Sequence, residues 1–317
     1  MSIPSPCVGF CRLDDSSGIC VGCARSRDEI ACWKDAPSAI LERIWSDLPV
    51  RRARLGIGLH RLAWTQDAIL AFIAETFRAG DGTWVHGIFG AVGEFCMGAN
   101  EKCEIVTEGE RITAQTERGG IRFNVTDQVR ALSMTMKVGA MAKEVVVLAI
   151  PRGRVIRAAN QGLTHLGPDR DAIRPHERDE RLYDFGLGTL AAGFCVRTSD
   201  PELTRELEAC SGQRWAALLA RLGSAIVRLS PARVILSEIG RLEVFTPIPL
   251  PNGRSPDGPH THFLPIHLAV AREMPPGVEL PEALVPCGIF YPAAGPAETD
   301  ACSGTATVAN SCPDVTT

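Results

Sequence analysis

Residues 111–125 read Arg111-Ile112-Thr113-Ala114-Gln115-Thr116-Glu117-Arg118-Gly119-Gly120-Ile121-Arg122-Phe123-Asn124-Val125. Two strand-length segments, 111–116 and 121–125, enclose Arg118-Gly119-Gly120, a run suited to the tight reversal of a β-hairpin. A hairpin pairs its strands antiparallel, since a parallel crossover needs a dozen or more residues.

The pattern extends outward. Residues 85–95 and 103–106 are strand-length, and 145–150, bounded by Pro151, read as a buried strand. A strand at 192–197 follows. Residues 233–236 and 241–245 flank Ile239-Gly240 as a second hairpin, and 285–291 form the last strand. Thr65 caps a helix with Ile69, Phe72, Ile73 and Phe77 on one stripe and Gly80 at its end. Further helices are expected near 201–209 and 213–222. Helices are interspersed with strands without alternating strictly, so the class is α+β and antiparallel-rich rather than a doubly wound parallel sheet. Residues 169–184 interleave acids with Arg170, Arg174, Arg178 and Arg181, the pattern of a solvated, salt-bridged surface.

Near the front, Ser26 can cap a short helix with Asp28 and Glu29 in its first turn, ending before Pro37. A second helix from Ser38 presents Ile40, Leu41, Ile44, Trp45 and Leu48 until Pro49 stops it. The expected division is a small module over 1–50, a linker over 51–62, the α+β domain over 63–292 and a disordered tail over 293–317. Leu55, Ile57 and Leu59 also suit a brief extended segment. Cys302 and Cys312 fall in the tail and are read as incidental.

The net charge of -4 over 317 residues gives no overall attraction to nucleic acid or an anionic membrane. The first residues lack the basic and apolar regions of a secretory signal. The longest strongly apolar run, 145–150, is far short of the roughly 20 residues that span a bilayer. The expectation is a cytoplasmic protein without membrane contact, in which clustered cysteines are metal ligands rather than disulfides.

Four of the twelve cysteines cluster: Cys7, Cys11, Cys20 and Cys23. Two thiolates separated by two residues can share a metal ion, because the turn between them points backbone N–H groups at the sulfurs. Gly22 eases that turn, and Gly18 lets the chain return so that Cys7 and Cys11 complete a tetrahedron. Four sulfurs suit zinc or an iron-sulfur cluster. The plain alternative is four unligated core thiols. Cys32, beside Trp33, is a spare thiol. The basic residues that follow, Arg25, Arg27, Lys34, Arg43, Arg51, Arg52 and Arg54, are largely offset by Asp28, Glu29, Asp35, Glu42 and Asp47, which argues against a nucleic-acid surface.

The string Ser5-Pro6-Cys7-Val8-Gly9-Phe10-Cys11-Arg12-Leu13-Asp14, followed by Cys20-Val21-Gly22-Cys23-Ala24-Arg25, Asp28-Glu29-Ile30 and Trp33, resembles the bacterial family called domain of unknown function 1289. That family is described as a predicted Fe-S protein, and the resemblance over about fifty residues implies that these four cysteines are the ligands. It leaves iron against zinc open. Residues 84–95, Tyr183-Asp184-Phe185-Gly186-Leu187-Gly188 with Phe194-Cys195-Val196-Arg197-Thr198, and 240–245 running on to His260-Thr261-His262 resemble a second family, domain of unknown function 6925. This resemblance covers 65–292 and implies no activity.

The other constellation with possible chemistry is the Pro/Gly-rich loop 247–267. In an extended segment His260 and His262 project from one face and could share a metal ion, with His267 reaching it after a turn. The alternative is a surface loop whose histidines bond locally, shaped by Pro256, Gly258 and Pro259. Cys195 and Cys287 sit in apolar strands as small core residues. Glu94, between Gly93 and Phe95, reads as exposed or as an inward acid at a strand end. No phosphate loop, nucleophile elbow or HExxH is present. The leading functional class is therefore a metal-binding accessory or regulatory protein. The alternatives are a metal-dependent enzyme using the histidine loop, and a zinc module that docks a macromolecular partner, for which an unknown protein is the candidate.

Overall fold

The computed structural model describes residues 3–98, 100–138, 141–249, 257–275 and 277–293, so the expected tail beyond 293 and Pro256 lie outside the described residues. The protein is α+β, built on two antiparallel sheets. One has the order β1 (Leu59–Arg61), β7 (Arg130–Val138), β8 (Met141–Pro151), β15 (Leu284–Tyr291), β2 (Thr83–Ile88), β3 (Ala91–Phe95), β14 (His260–Phe263). The other has the order β4 (Glu104–Glu108), β5 (Arg111–Gln115), β6 (Gly119–Asn124), β13 (Gly240–Val244), β12 (Ala232–Ser237), β11 (Gly193–Thr198), β10 (Arg181–Asp184), β9 (Thr164–Pro168). The helices among the described residues are α1 (Arg27–Cys32), α2 (Ser38–Leu55), α3 (Gln66–Ala79), α4 (Pro201–Ala209), α5 (Trp215–Leu229) and α6 (Pro265–Leu268). None is long and apolar enough to cross a membrane.

The hairpin at 111–125 forms as its sequence dictates, with Arg111 opposite Asn124 and Gln115 opposite Gly120. Gly119 begins β6 because its neighbours leave no room for a side chain: an added Cβ would lie 2.5 Å from Pro259 Cβ and 2.8 Å from Glu243 O. The expected single strand over 85–95 is instead a second hairpin, β2 and β3, turning at Phe89-Gly90 with Gly90 at φ +98°. The turn takes only two residues, Phe89 and Gly90, so no polar loop marks it in the sequence.

The sheets pack face to face through one large core. The layers approach closely at Gly93 of β3, where an added Cβ would meet Leu242 of β13 at 2.7 Å and Ile235 of β12 at 2.9 Å. Along β3, Ala91, Gly93 and Phe95 face that core while Val92 and Glu94 point outward. Helix α3 begins at its Thr65 cap, ends at left-handed Gly80, and buries Ile69, Ile73 and Phe77 in the same core. Trp84 enters fully, its Nε1 donating to Thr76 Oγ1 at 3.0 Å, so the indole is satisfied where water cannot reach.

Pro49 does not end α2. The helix runs through it to Leu55 and stops at left-handed Gly56. A proline inside a helix loses one backbone bond and crowds the preceding turn. Here burial of Ile44, Leu48 and Arg52 on the same face holds the helix together. Residues 51–55 of the expected linker are thus helix and 59–61 are β1, which pairs with β7. Val8 packs with Leu132, Val147, Leu284 and Ile289 on the outer face of the seven-stranded sheet, so the front of the chain is seated on the larger domain.

The charged stretch 169–184 is not simply a solvated surface. Arg170 and Asp179 form an exposed ion pair, but Asp169 is buried and accepts from Arg197 Nη1 and from Arg241 Nη1, each at 2.9 Å. Arg197 is fully buried and also donates to Glu243 Oε2 at 2.7 Å, and Glu243 Oε1 accepts from the Ile173 N–H at 2.9 Å. The partners come from β11 and β13, distant in sequence, so local charge alternation could not reveal them. Desolvation opposes ionisation of Asp169, but Arg241 and Arg197 more than offset it and hold its carboxyl below the ordinary range. Its contribution to stability is therefore present above the unfolded carboxylate pKa and is lost as pH falls through the depressed folded value. Glu243→Ala would leave Arg197 with Asp169, Glu177 and Glu180 but would strip the buried Ile173 N–H of its acceptor and Arg241 of one carboxylate. The expected cost is about 1–3 kcal/mol in urea unfolding at neutral pH. A loss within experimental error would show that the network carries no net stability.

Candidate metal centres

The cysteine segment folds back through short antiparallel bridges, Leu13 with Cys20 and Ile19 with Ser26. Gly18 adopts φ +65° at the reversal, beside the Asp14 carboxylate that accepts from Ser16 and Ser17. Gly22 is required by close approach rather than by a left-handed conformation, since an added Cβ would lie 2.3 Å from Phe10 O. Cys20 and Cys23 are buried, whereas Cys7 and Cys11 are exposed.

Cys11 Sγ and Cys20 Sγ lie 3.9 Å apart. Zn–S bonds of about 2.3 Å give a tetrahedral S–S edge of roughly 3.8 Å, so this pair has metal-compatible spacing. Among the described residues, no three of the four sulfurs come within 4.8 Å of one another. An ion shared by all four therefore requires the exposed Cys7–Cys11 side to close onto the buried pair. Burial opposes ionisation of Cys20, but backbone N–H groups of Gly22, Cys23 and Arg12 more than compensate and hold the thiol below its ordinary value. Cys23 is pushed up by desolvation against the pull of Arg25, and Cys11 is raised by its hydrogen bond with Cys20.

Two buried arginines face these sulfurs. Arg25 Nε donates to Cys23 Sγ at 3.4 Å, and its guanidinium lies over the Trp33 ring at 4.6 Å. Arg52 lies over Trp45 at 5.5 Å, with Nε and Nη2 buried and without hydrogen-bond partners. Burial lowers its pKa and the nearby Cys23 raises it. Among the described residues no carboxylate pairs with either arginine. Four neutral thiols would leave both cations uncompensated, whereas four thiolates around a divalent ion carry two net negative charges. The donor set and its surroundings thus fit a thiolate-bound metal. Cys32 is exposed on α1, and its Sγ lies 3.8 Å from Glu29 O rather than against the other four sulfurs.

A clamp from α2 holds this segment. The Ser26–Glu29 capping box forms as the sequence indicates, and Arg51 of α2 grips the Glu29 carboxylate with both terminal nitrogens, at 2.6 and 2.9 Å.

The second centre lies on the outer face of the seven-stranded sheet. In the β3–β14 ladder His260 stands opposite Glu94 and His262 opposite Val92. Both imidazoles reach the same carboxylate: His260 Nε2 is 3.4 Å from Glu94 Oε2, and His262 Nε2 is 3.4 Å from Glu94 Oε1. The two rings sit edge to face at 4.7 Å. One ligand atom from each of the three residues lies within 4.8 Å of the others. The hydrogen bond from His262 holds Glu94 below its ordinary value, and the same contact raises His262.

Glu94 supplies the carboxylate that the histidine loop lacks in sequence. Its signal was the alternation Gly93-Glu94-Phe95, which places the acid outward once Gly93 is known to face the core. His267 does not join. It lies within α6, beside the β2–β3 turn, and stacks on Phe89, with ring centroids 4.3 Å apart at 13°. The turn after Phe263 that was expected to return it to the pair instead leads it away. Cys195 and Cys287 are buried core thiols that desolvation pushes up, Cys287 to about 12.

The model of a family described as "Family of unknown function (DUF6925)" matches residues 68–303, and that of "Protein of unknown function (DUF1289)" matches residues 5–52. No curated protein and no solved structure matches the chain.

The Arg51–Glu29 clamp gives a prediction about the cysteine segment. Desolvation raises the Glu29 carboxyl, but Arg51 and the Ser26 N–H more than offset it, leaving the folded pKa depressed. Its contribution is present above the unfolded glutamate pKa and is lost as pH falls through the folded value. With the two side chains 22% and 19% exposed, solvent screening limits the expected loss in Arg51→Ala to about 0.5–1 kcal/mol at pH 7. That difference should vanish at acid pH in paired urea titrations. An Arg51→Ala deficit that persists with Glu29 protonated would mean the contact acts by packing alone.

Proposed function

The chain belongs to the family of unknown function DUF6925, and from that premise we propose that it is a metal-binding accessory or regulatory protein. Its DUF1289-like front holds an iron-sulfur cluster or zinc on Cys7, Cys11, Cys20 and Cys23. The observation that carries this reading is the pair of buried arginines, Arg25 and Arg52, set against the cysteines with no carboxylate partner among the described residues. Buried cations are stable only beside compensating charge, and metal-bound thiolates supply it. Bound zinc would give a redox-inert structural centre, whereas an iron-sulfur cluster would give electron transfer or sensing. The residues of this chain would hold either group, with Arg25 and the N–H groups around Cys20 stabilising thiolate sulfur and Arg52 balancing the charge from the side of α2.

Anaerobic purification followed by metal and acid-labile sulfide analysis separates the two. A brown protein with iron and sulfide, bleached on reduction, assigns the cluster. One zinc without sulfide assigns the structural ion. Protein that holds neither, and whose metal content is unchanged by serine at all four cysteines, would overturn the reading. Arg52→Met sharpens the test because its effect should differ between states. Chelator-treated protein should be as stable as wild type or more so, since an uncompensated cation has been removed. Metal retention in the loaded protein should fall by roughly 10–100-fold, the scale typical of groups that support metal ligands.

A further inference from the structure

We infer that Glu94, His260 and His262 form a second, independent metal site that takes a divalent transition-metal ion of the zinc or ferrous type and leaves coordination positions open to a small anionic ligand. Three observations carry this. The first is distance. Metal–ligand bonds of about 2.0–2.2 Å place neighbouring donors in a tetrahedral site roughly 3.3–3.6 Å apart. Both histidine Nε2 atoms stand 3.4 Å from an oxygen of the shared carboxylate.

The second is the tautomer. His260 Nδ1 lies 2.6 Å from Gly258 O, which can only accept, so the proton is on Nδ1. In the neutral ring Nε2 then presents a lone pair toward Glu94, another acceptor. Two acceptors face each other, and a cation between them satisfies both. A backbone carbonyl on the far nitrogen is also the arrangement that orients metal-ligating histidines.

The third is access. The side chains are 14% (His260), 31% (Glu94) and 35% (His262) exposed, enough to admit an ion and its exchangeable ligand. Glu94 and His262 line a cavity of about 560 Å³ on the sheet's outer face, whose walls include Val85, Val92, Phe89 and Leu264. His267 lines it too, with Nδ1 buried and unpartnered. Two imidazoles and one carboxylate leave a divalent ion with one net positive charge and unfilled positions, the donor set of both His2Glu zinc and two-histidine-one-carboxylate iron sites. A largely apolar cleft that shares Glu94 and His262 with a net positive ion suits a monoanion with a short apolar body, a small carboxylate.

Cobalt(II) tests this in the full-length chain with its cysteine centre as purified. Titration should fill one site whose visible d–d bands lack the sulfur-to-metal charge-transfer absorption of thiolate ligation. Glu94→Gln and His262→Gln should each weaken it by more than the roughly 10–100-fold typical of lost supporting groups. Both variants alter partly exposed side chains, and unchanged circular dichroism and urea midpoints of the metal-free proteins will show that the fold is kept. Adding butyrate should then shift the d–d bands of wild type. No sulfur-free cobalt site, or equal binding by wild type and both variants, would overturn the site. Cobalt binding indifferent to butyrate would overturn the open anion-binding position. None of these outcomes depends on the cysteines, so the two centres stand or fall separately.

Discussion

The structure depends on the approach of its two sheets at Gly93. A glycine there lets the Leu242 and Ile235 side chains press onto the β3 backbone, and any larger residue would hold the layers apart. Because side chains alternate along a strand, fixing Gly93 inward fixes Glu94 outward. β14 then pairs with β3 in the register that sets His260 opposite that carboxylate. Core packing thus determines the geometry on the opposite face of the same sheet, without a catalytic loop to position it.

The two centres were unequally legible in the sequence. The cysteine cluster is local: short spacings and a nearby capping box announce it, and the structure brings Cys11 against Cys20 while pairing Arg51 with Glu29. The histidine pair was readable from i, i+2 projection. Its carboxylate was not, because Glu94 and His260 meet only through pairing of strands far apart in the chain. His267, near the pair in sequence, was drawn away by stacking on Phe89. Proximity along the chain misled where the ladder decided.

The fold class followed from hairpin signals at 111–125 and 233–245, since turns are encoded locally. Strands β7 and β9 carried no comparable signal, and 83–95 concealed its turn because Phe89-Gly90 reverses the chain without a polar loop. Pro49 misled in the opposite sense: a strong local breaker was overridden by the buried face of α2. The stretch 169–184 shows the same limit for charge. Nothing in the spacing of Asp169 from its neighbouring arginines tells that its partners are Arg197 and Arg241, and only the assembled sheet turns a surface-like pattern into a buried network.

Val8 has a consequence for how the front and the body of the molecule communicate. It lies one residue from Cys7 and is buried among Leu132, Val147 and Ile289, while Gly9, at φ +82°, sits where an added Cβ would lie 2.7 Å from Ala283 Cβ. A ligand that binds only the folded cysteine segment shifts the folding equilibrium of everything cooperative with that segment. Val8 packs the cysteine segment into the outer layer of the seven-stranded sheet, the contact through which such a shift would pass. A ligand held at the front would therefore also protect the amides of β7 and β8, and its loss would loosen the cover over an apolar strip of that sheet.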